Sequence, residues 1–220
     1  MNPPAKRFPW TIAIGLLLLT FTLALAVFLA QLKQRLANRS AQPLPVYGAV
    51  TNFSLLNQQG AAVSLDDLRG HVWLGNIIFT RCPGPCLRMT RQMKELQTGL
   101  PRDSRARLVT LTTDPDFDTP EVLKTYGQHA GADFERWMFL TGTKKEIGNL
   151  AIGSLKLAAI EKKPEERESS TDLFVHSTVL VIIDRQGQLR GSFPTAGEDV
   201  DWTQTKARIL AAVAQLEREK

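Results

Sequence analysis

The sequence predicts an α/β domain, a mixed sheet flanked by helices, preceded by one N-terminal transmembrane helix. Three observations carry this reading. An uncharged run, Phe8 to Leu32, opens the chain. Apolar runs rich in β-branched and aromatic residues then alternate with segments of helical periodicity. A last pair of apolar runs around Arg185-Gln186-Gly187-Gln188 is followed by one amphipathic helix. Alternating strands and helices build a layered sheet, and a closing hairpin makes it mixed.

A chain of 220 residues holds one such domain and an appendage. Thr11 to Ala30 is almost wholly apolar, and about 20 helical residues span a bilayer core of roughly 30 Å. Trp10 stands at one edge, where an indole favours the interface. The organisation is therefore a short tail at 1–9, a transmembrane anchor at 10–32, a linker at 33–49 with Pro43 and Pro45, and a domain at 50–220. Ala24-Leu25-Ala26 offers the competing reading of a cleaved signal peptide. The apolar run continues past it to Ala30, which is long for a signal and favours an uncleaved anchor. Basic residues flank both ends, so charge does not orient the helix. A short N-terminus is easily left in the cytoplasm, which puts the domain outside, on the periplasmic side of the inner membrane in a bacterium.

Charge divides the chain in the same way. Of 27 Lys and Arg residues, five lie in residues 1–40, which hold no acid; the other 22 balance the 22 Asp and Glu. The basic character belongs to the anchor. A nucleic-acid partner needs a basic patch on the folded part, so none is expected.

Within the domain, Phe53 to Leu56 and Ala62 to Leu65 read as short strands around Asn57-Gln58-Gln59-Gly60. His71 to Thr80 is a nearly continuous apolar run, as a central strand covered on both faces requires. Leu87 to Gln97 is helical, with Met89, Met93 and Leu96 on one face, and Gly99 and Pro101 end it. Arg107 to Thr113 is a second buried strand. Asp118-Thr119-Pro120-Glu121 then opens a helix to Ala130, with Asp118 in its cap region. Trp137 to Thr141 is a third strand, Lys144 to Ile152 a helix and Leu155 to Ile160 a further strand. Glu161 to Asp172 is a polar loop. Thr178 to Asp184 and Leu189 to Phe193 form the hairpin, and Asp199 to Glu219 is the closing helix.

The chain's two cysteines, Cys82 and Cys86, sit where the central strand turns into the first helix of the domain. That placement makes the domain thioredoxin-like. Two cysteines closing so short a loop do little as a structural staple. Pro83 pushes Cys82 toward extended backbone, and Pro85 suits a first helical turn. The helix N-terminus, Arg81 and Arg88 are expected to stabilise thiolates. A thiolate is both nucleophile and metal ligand, so redox chemistry and metal binding both stay open. Spacing separates them in part: thioredoxin-type enzymes use two intervening residues, and three stand here.

Two thiolates are too few for structural zinc, but two with one imidazole suit Cu(I). Of three histidines, His71 and His129 read as surface residues. His176 precedes a buried strand, and in a thioredoxin-like sheet that loop lies beside the cysteine turn; a capping or solvated histidine is the alternative. Met89 and Met93 are candidate auxiliary ligands, although their spacing reads as core. Asp114 and Asp118 either steer the loop, contact a partner or simply serve a strand end and a cap.

Four blocks resemble the SCO/SenC family of membrane-anchored copper chaperones. They are Phe79-Thr80-x-Cys82-Pro83-x-x-Cys86, Thr113-Asp114-Pro115-Asp116-x-Asp118-Thr119-Pro120-Glu121-Val122-Leu123, Trp137-x-x-Leu140-Thr141-Gly142, and Val175-His176-Ser177-Thr178 followed by Ile183-Asp184-x-x-Gly187. The resemblance spans about residues 50–195. It implies a thioredoxin-like domain behind an anchor, with copper held by Cys82, Cys86 and His176. It also implies a partner, cytochrome c oxidase subunit II, whose copper site receives the metal or has its cysteines reduced. The family commonly has Asp after the Cys-Pro pair and Pro after the second Cys; here Gly84 and Leu87 stand there. Arg81 occupies a place where the family often has an aromatic or small residue.

Two other functions stay in view. One is a membrane-anchored thiol–disulfide oxidoreductase acting on a partner's cysteines, with Cys82 and Cys86 as the redox-active, disulfide-forming pair. The other is a tethered redox sensor without turnover.

Overall fold

The structure, a computed structural model, describes residues 10–40, 43–82, 84–166 and 174–219. For residues 11–13, 32–40, 159–161, 164 and 174–176 it describes the backbone alone. The expected tail at 1–9, Pro83 and the middle of the expected polar loop at 167–173 lie outside. The chain forms two compact units, Met1–Pro43 and Leu44–Lys220.

The first unit holds helix α1 (Trp10–Ser40), 31 residues long. Its window Ile14–Gln31 has a mean hydropathy of 2.3 and no Asp, Glu, Lys or Arg, long and apolar enough to cross a membrane. The hydroxyls of Thr20 and Thr22 donate to the carbonyls of Leu17 and Leu19, each at 2.9 Å, so neither polar group is left unpaired. The sequence expected a linker from residue 33, yet the helix continues to Ser40, because Lys, Gln, Arg, Leu and Ala there are good helix formers.

The second unit runs β1 (Gly48–Ala49), β2 (Ser54–Asn57), β3 (Ala62–Ser64), β4 (Trp73–Ile78), α2 (Pro85–Gly99), β5 (Arg107–Thr112), α3 (Pro120–His129), β6 (Trp137–Thr141), α4 (Lys144–Gly148), a π-helical turn (Asn149–Ser154), β7 (Ala159–Glu161), a 3-10 turn (Pro164–Glu166), β8 (Phe174–His176), β9 (Val179–Ile183), β10 (Gln188–Pro194) and α5 (Trp202–Arg218). Eight strands form one sheet in the order β1-β10-β9-β4-β5-β6-β2-β3, and β7 pairs with β8 apart from it. β4, β5 and β6 are parallel, while β9 runs antiparallel to β4 and β10 antiparallel to β9. This is the mixed, helix-flanked sheet the alternation predicted.

Period-two alternation on β4 divides the core. Trp73 and Ile77 face one side, with Leu55, Leu68, Ile147 and Leu150. Leu74 faces the other, where Met93 and Leu96 of α2 meet Leu123 of α3 and Ile209, Val213 and Leu216 of α5. Each such side chain, fully buried, stabilises the fold by about 1.5–3 kcal/mol relative to exposure. Gly75 lets β9 come close: a Cβ there would stand 3.1 Å from Val181 Cγ2 and 3.2 Å from the Trp73 ring.

Two of the motif blocks turn out to serve this architecture. In Ile183-Asp184-x-x-Gly187, Asp184 Oδ1 accepts from the amides of Gln186 (3.0 Å) and Gln188 (2.8 Å), while Gly187 takes φ +80°. Trp137 Nε1 donates to Thr110 Oγ1 at 2.9 Å, and Thr110 Oγ1 to Asn76 Oδ1 at 2.7 Å, a polar tie across β6, β5 and β4.

The boundaries differ in three places. β1 forms inside the stretch read as linker: Tyr47 N–H donates to Leu189 O at 2.8 Å. Buried Arg190 grips Leu44 O from Nε (3.1 Å) and Nη2 (2.7 Å), and its Nη1 meets Asp184 Oδ2 (2.7 Å) and Glu219 Oε2 (2.9 Å). After α4 the chain widens into a π-helical turn. Leu155–Leu157, read as strand, instead closes that turn through Leu155 N–H to Leu150 O and Leu157 N–H to Ala151 O, with Lys156 at φ +58°.

Candidate metal centre

β4 is buried along its whole length and delivers the chain to the sheet end where β5 and β6 also finish. Phe79–Cys82 then makes a tight turn, with Cys82 N–H donating to Phe79 O at 3.2 Å. Gly84 leads into α2, whose first position is Pro85, as expected. No side chain caps α2 and no acid occupies its first turn, so its N-terminal amides face the loop with their positive end unneutralised.

Cys82 is 5% exposed and Cys86 0%, both thiols, packed with Ile78, Phe79 and Met89 against Tyr126. The hydrogen bond to Cys82 pushes the Cys86 thiol up, burial adds to this, and a backbone hydrogen bond from Phe79 works weakly the other way. The expected thiolate stabilisation by Arg81 is corrected here. Arg81 turns away, pairing through Nη2 with the buried Asp114 carboxylate and stacking its guanidinium 4.2 Å from the Phe117 ring centroid. Without metal, Cys86 keeps its proton. Burial likewise pushes Tyr126, whose hydroxyl meets Thr90 Oγ1 at 2.8 Å, up to about 12.

Asp118 is fully buried beneath this loop and is not the cap of α3; Thr119 is, accepting from Val122 N–H at 3.4 Å. The Asp118 carboxylate accepts from Thr80 N–H (3.1 Å), Thr80 Oγ1 and Thr112 Oγ1. It therefore ties the end of β4, two residues before Cys82, to the end of β5. Burial pushes its carboxyl up, against the downward pull of those three donors. The pairing of Asp118 with Thr80 had no local signal in the sequence, since 38 positions separate them.

The other candidates sort by position. Met89 is fully buried beside both cysteines, while Met93 lies in the core between α2 and α5. His71 Nδ1–H donates to Arg105 O at 2.9 Å, before β4 begins and so at its far end, and His129 ends α3. His176 closes β8, where its backbone is registered against Ala159. β9 runs antiparallel to β4 with Gly75 opposite Val181, so the residues just before Val179 reach the sheet at the cysteine end. The side chain of His176 lies outside the described part, and among the described residues no three His, Cys, Asp or Glu side chains gather. What the described residues bring together is a pair of soft sulfur donors, short of a third ligand, at an electropositive helix end. That donor set fits a thiophilic monovalent ion such as Cu(I).

Residues 43–211 match the SCO1/SenC family model. The chain is 35% identical over 147 residues to the SCO1 protein homolog of Bacillus subtilis, covering 66% of this chain and 73% of that one. It superposes on BsSco, a member of the Sco family of cytochrome c oxidase assembly proteins in which a disulfide switch was identified. There the TM-score is 0.63 and the identity 26%, over 81% of this chain and 100% of that one. Bradyrhizobium japonicum ScoI, solved with copper bound, gives a TM-score of 0.61 at 23% identity, over 77% and 98%; at that identity the likeness speaks for the fold.

Proposed function

This chain is a member of the SCO1/SenC family, and from that we propose that it is a membrane-tethered copper chaperone serving cytochrome c oxidase assembly. The observation that carries the reading is the buried pair Cys82 and Cys86 on the strand-to-helix turn of a Sco fold. Its cargo is Cu(I) or Cu(II), its ligands Cys82, Cys86 and His176. A relative described as a member of a family of cytochrome c oxidase assembly proteins supports the assembly role, and one described as a putative copper-binding protein supports the cargo.

In this reading, residues 10–32 stay in the membrane as an uncleaved anchor, the chain up to Pro43 connects, and the domain from Leu44 works on the extracytoplasmic side. Metal-free, Cys86 is a buried thiol hydrogen-bonded to Cys82. Copper displaces its proton, so uptake strengthens with pH. The α2 N-terminus compensates the thiolate charge that forms. Handover follows by ligand exchange with the copper site of cytochrome c oxidase subunit II, as the acceptor's ligands replace the chaperone's in turn. The oxidoreductase alternative gains nothing from the geometry. A nucleophilic thiol needs exposure, and neither sulfur has it; the hydrogen bond to Cys82 and burial push the Cys86 thiol up as well.

The test is Cu(I) titration of the full chain in detergent against a chromophoric chelator. Cys82→Ser and Cys86→Ser abolish competitive binding, and His176→Ala weakens it. Wild-type affinity in His176→Ala removes the third ligand from the reading. Copper-independent reduction of a protein disulfide, lost in Cys82→Ser and kept in His176→Ala, replaces it with the oxidoreductase.

A further inference from the structure

We propose that Thr195, held by Gln92 of the cysteine helix, is the positioning residue that sets where His176 meets the cysteine pair; this rests on the reading of His176 as third ligand. The two residues that follow His176 are each pinned. Ser177 Oγ accepts from Ala158 N–H at 2.7 Å. Thr178 O accepts twice from Thr195, from its N–H at 2.8 Å and its Oγ1 at 2.9 Å. Thr195 O in turn accepts from Gln92 Nε2 at 3.0 Å.

These bonds make one continuous path. It runs from His176 through two backbone steps to Thr178, across to Thr195 at the end of β10, and on to the middle of α2. Two turns back along that helix lies Cys86. Gln92 and Thr195 are 5% and 3% exposed, so water does not compete for the bonds. The Thr178 carbonyl receives two donors where ladder pairing alone supplies one. The path spans 103 residues of sequence and joins the segment carrying the late ligand to the helix carrying an early one. A third ligand held on a short antiparallel pair, β7–β8, gains its precision from such a tie, because it must arrive at sulfurs set in a different part of the fold.

Gln92 carries a cost beside its tie. Its Oε1 is buried without a partner among the described residues, and an orphaned buried acceptor is costly. Leucine at this position deletes both the cost and the tie, so Gln92→Leu leaves stability nearly unchanged and reports on positioning. Thr195→Val likewise keeps shape and the N–H bond while removing the hydroxyl donor.

The experiment measures Cu(I) affinity and the Cu(II)–thiolate charge-transfer spectrum of the full chain in detergent, with urea unfolding as the structural control. Thr195→Val and Gln92→Leu each weaken Cu(I) binding about tenfold, in the range of partners that orient ligands, and shift the charge-transfer band. Thr195→Ser restores both. Combined with His176→Ala, neither substitution weakens binding further. If Thr195→Val binds as wild type while His176→Ala is weakened, the positioning role is wrong and the ligand reading stands. If the double variant loses affinity additively, Thr195 acts through the fold at large and the inference fails. If His176→Ala binds as wild type, both fall together.

Discussion

The carboxylate of Asp118 reaches across from the end of β5 and accepts the backbone N–H of Thr80, at 3.1 Å, two residues before Cys82. The cysteine loop is therefore fastened from below by a residue outside its own motif.

Asp118→Ala removes an acceptor used by three donors and leaves those donors buried. A loss of about 2–4 kcal/mol in urea-unfolding stability follows, together with weaker copper retention. Thr80→Val, which keeps the backbone bond, costs less.

The same carboxyl gives the stability a pH signature. Burial raises its folded pKa above the unfolded value of about 3.9. The folded state then holds more protons in that window, so this group's contribution is greatest below pH ~4 and is lost as pH rises through the folded value. Asp118→Asn lacks the titration. Wild type minus Asp118→Asn stability, measured at pH 4 and at pH 7, falls toward the higher pH. A flat difference shows that burial does not control the group.

Glu95 predicts the opposite slope at another place. Trp202 Nε1 (2.9 Å) and Lys206 Nζ (3.1 Å) both meet its Oε2, tying α2 to α5, and hold its carboxyl below the usual range. The stability it contributes is complete above its unfolded pKa, about 4.3, and disappears as pH falls through the folded value. Glu95→Gln removes that acid-side loss in thermal melts between pH 5 and 2. The pair is half-exposed, so salt weakens the effect.

Arg81, Asp114 and Phe117 form a clasp beside the loop. Arg81→Ala leaves Asp114 buried without its cation and costs about 1–2 kcal/mol, reduced from a fully buried pair because the guanidinium is 42% exposed. Phe117→Ala costs less, about 0.5–1 kcal/mol. A double-mutant cycle between 81 and 117 gives a coupling energy above zero; additivity removes the stacking contribution.

Gly84 tests how much the loop departs from its relatives. A Cβ there meets nothing within 4 Å, so the Asp side chain of Gly84→Asp has room and the variant folds. With φ −133° and ψ −95° the residue is outside the extended geometry of a capping residue, so Asp there adds no cap. A marked drop in melting temperature contradicts this account of the loop.

Much of this architecture was legible in the sequence because it rests on local patterns. The buried run of β4, the proline at the start of α2 and the Asp184–Gly187 turn each carry their geometry in adjacent residues. Helix α1 and the cysteine turn were readable for the same reason. What escaped was made by distance. Arg81 was assigned to the sulfurs by proximity in sequence, and it chose Asp114, 33 positions on. Asp118 read as a cap because Pro120 follows, but its partner belongs to another strand. Gln92 and Thr195 are ordinary polar residues until the sheet brings them together. Strand β1 is two residues long, and the chain settles there through partners far away in sequence, the Arg190 grip on Leu44 and the bond from Tyr47 N–H to Leu189 O.

Both sulfurs lie under the surface, at 5% and 0% exposure, and that bears on what the protein refuses as well as what it holds. Small thiols are abundant competitors for copper, and an open two-sulfur site would surrender its cargo to them at every collision. On the proposed reading, a buried pair surrenders it only as often as the sulfurs become exposed, so leakage to the surroundings follows that exposure and not affinity alone.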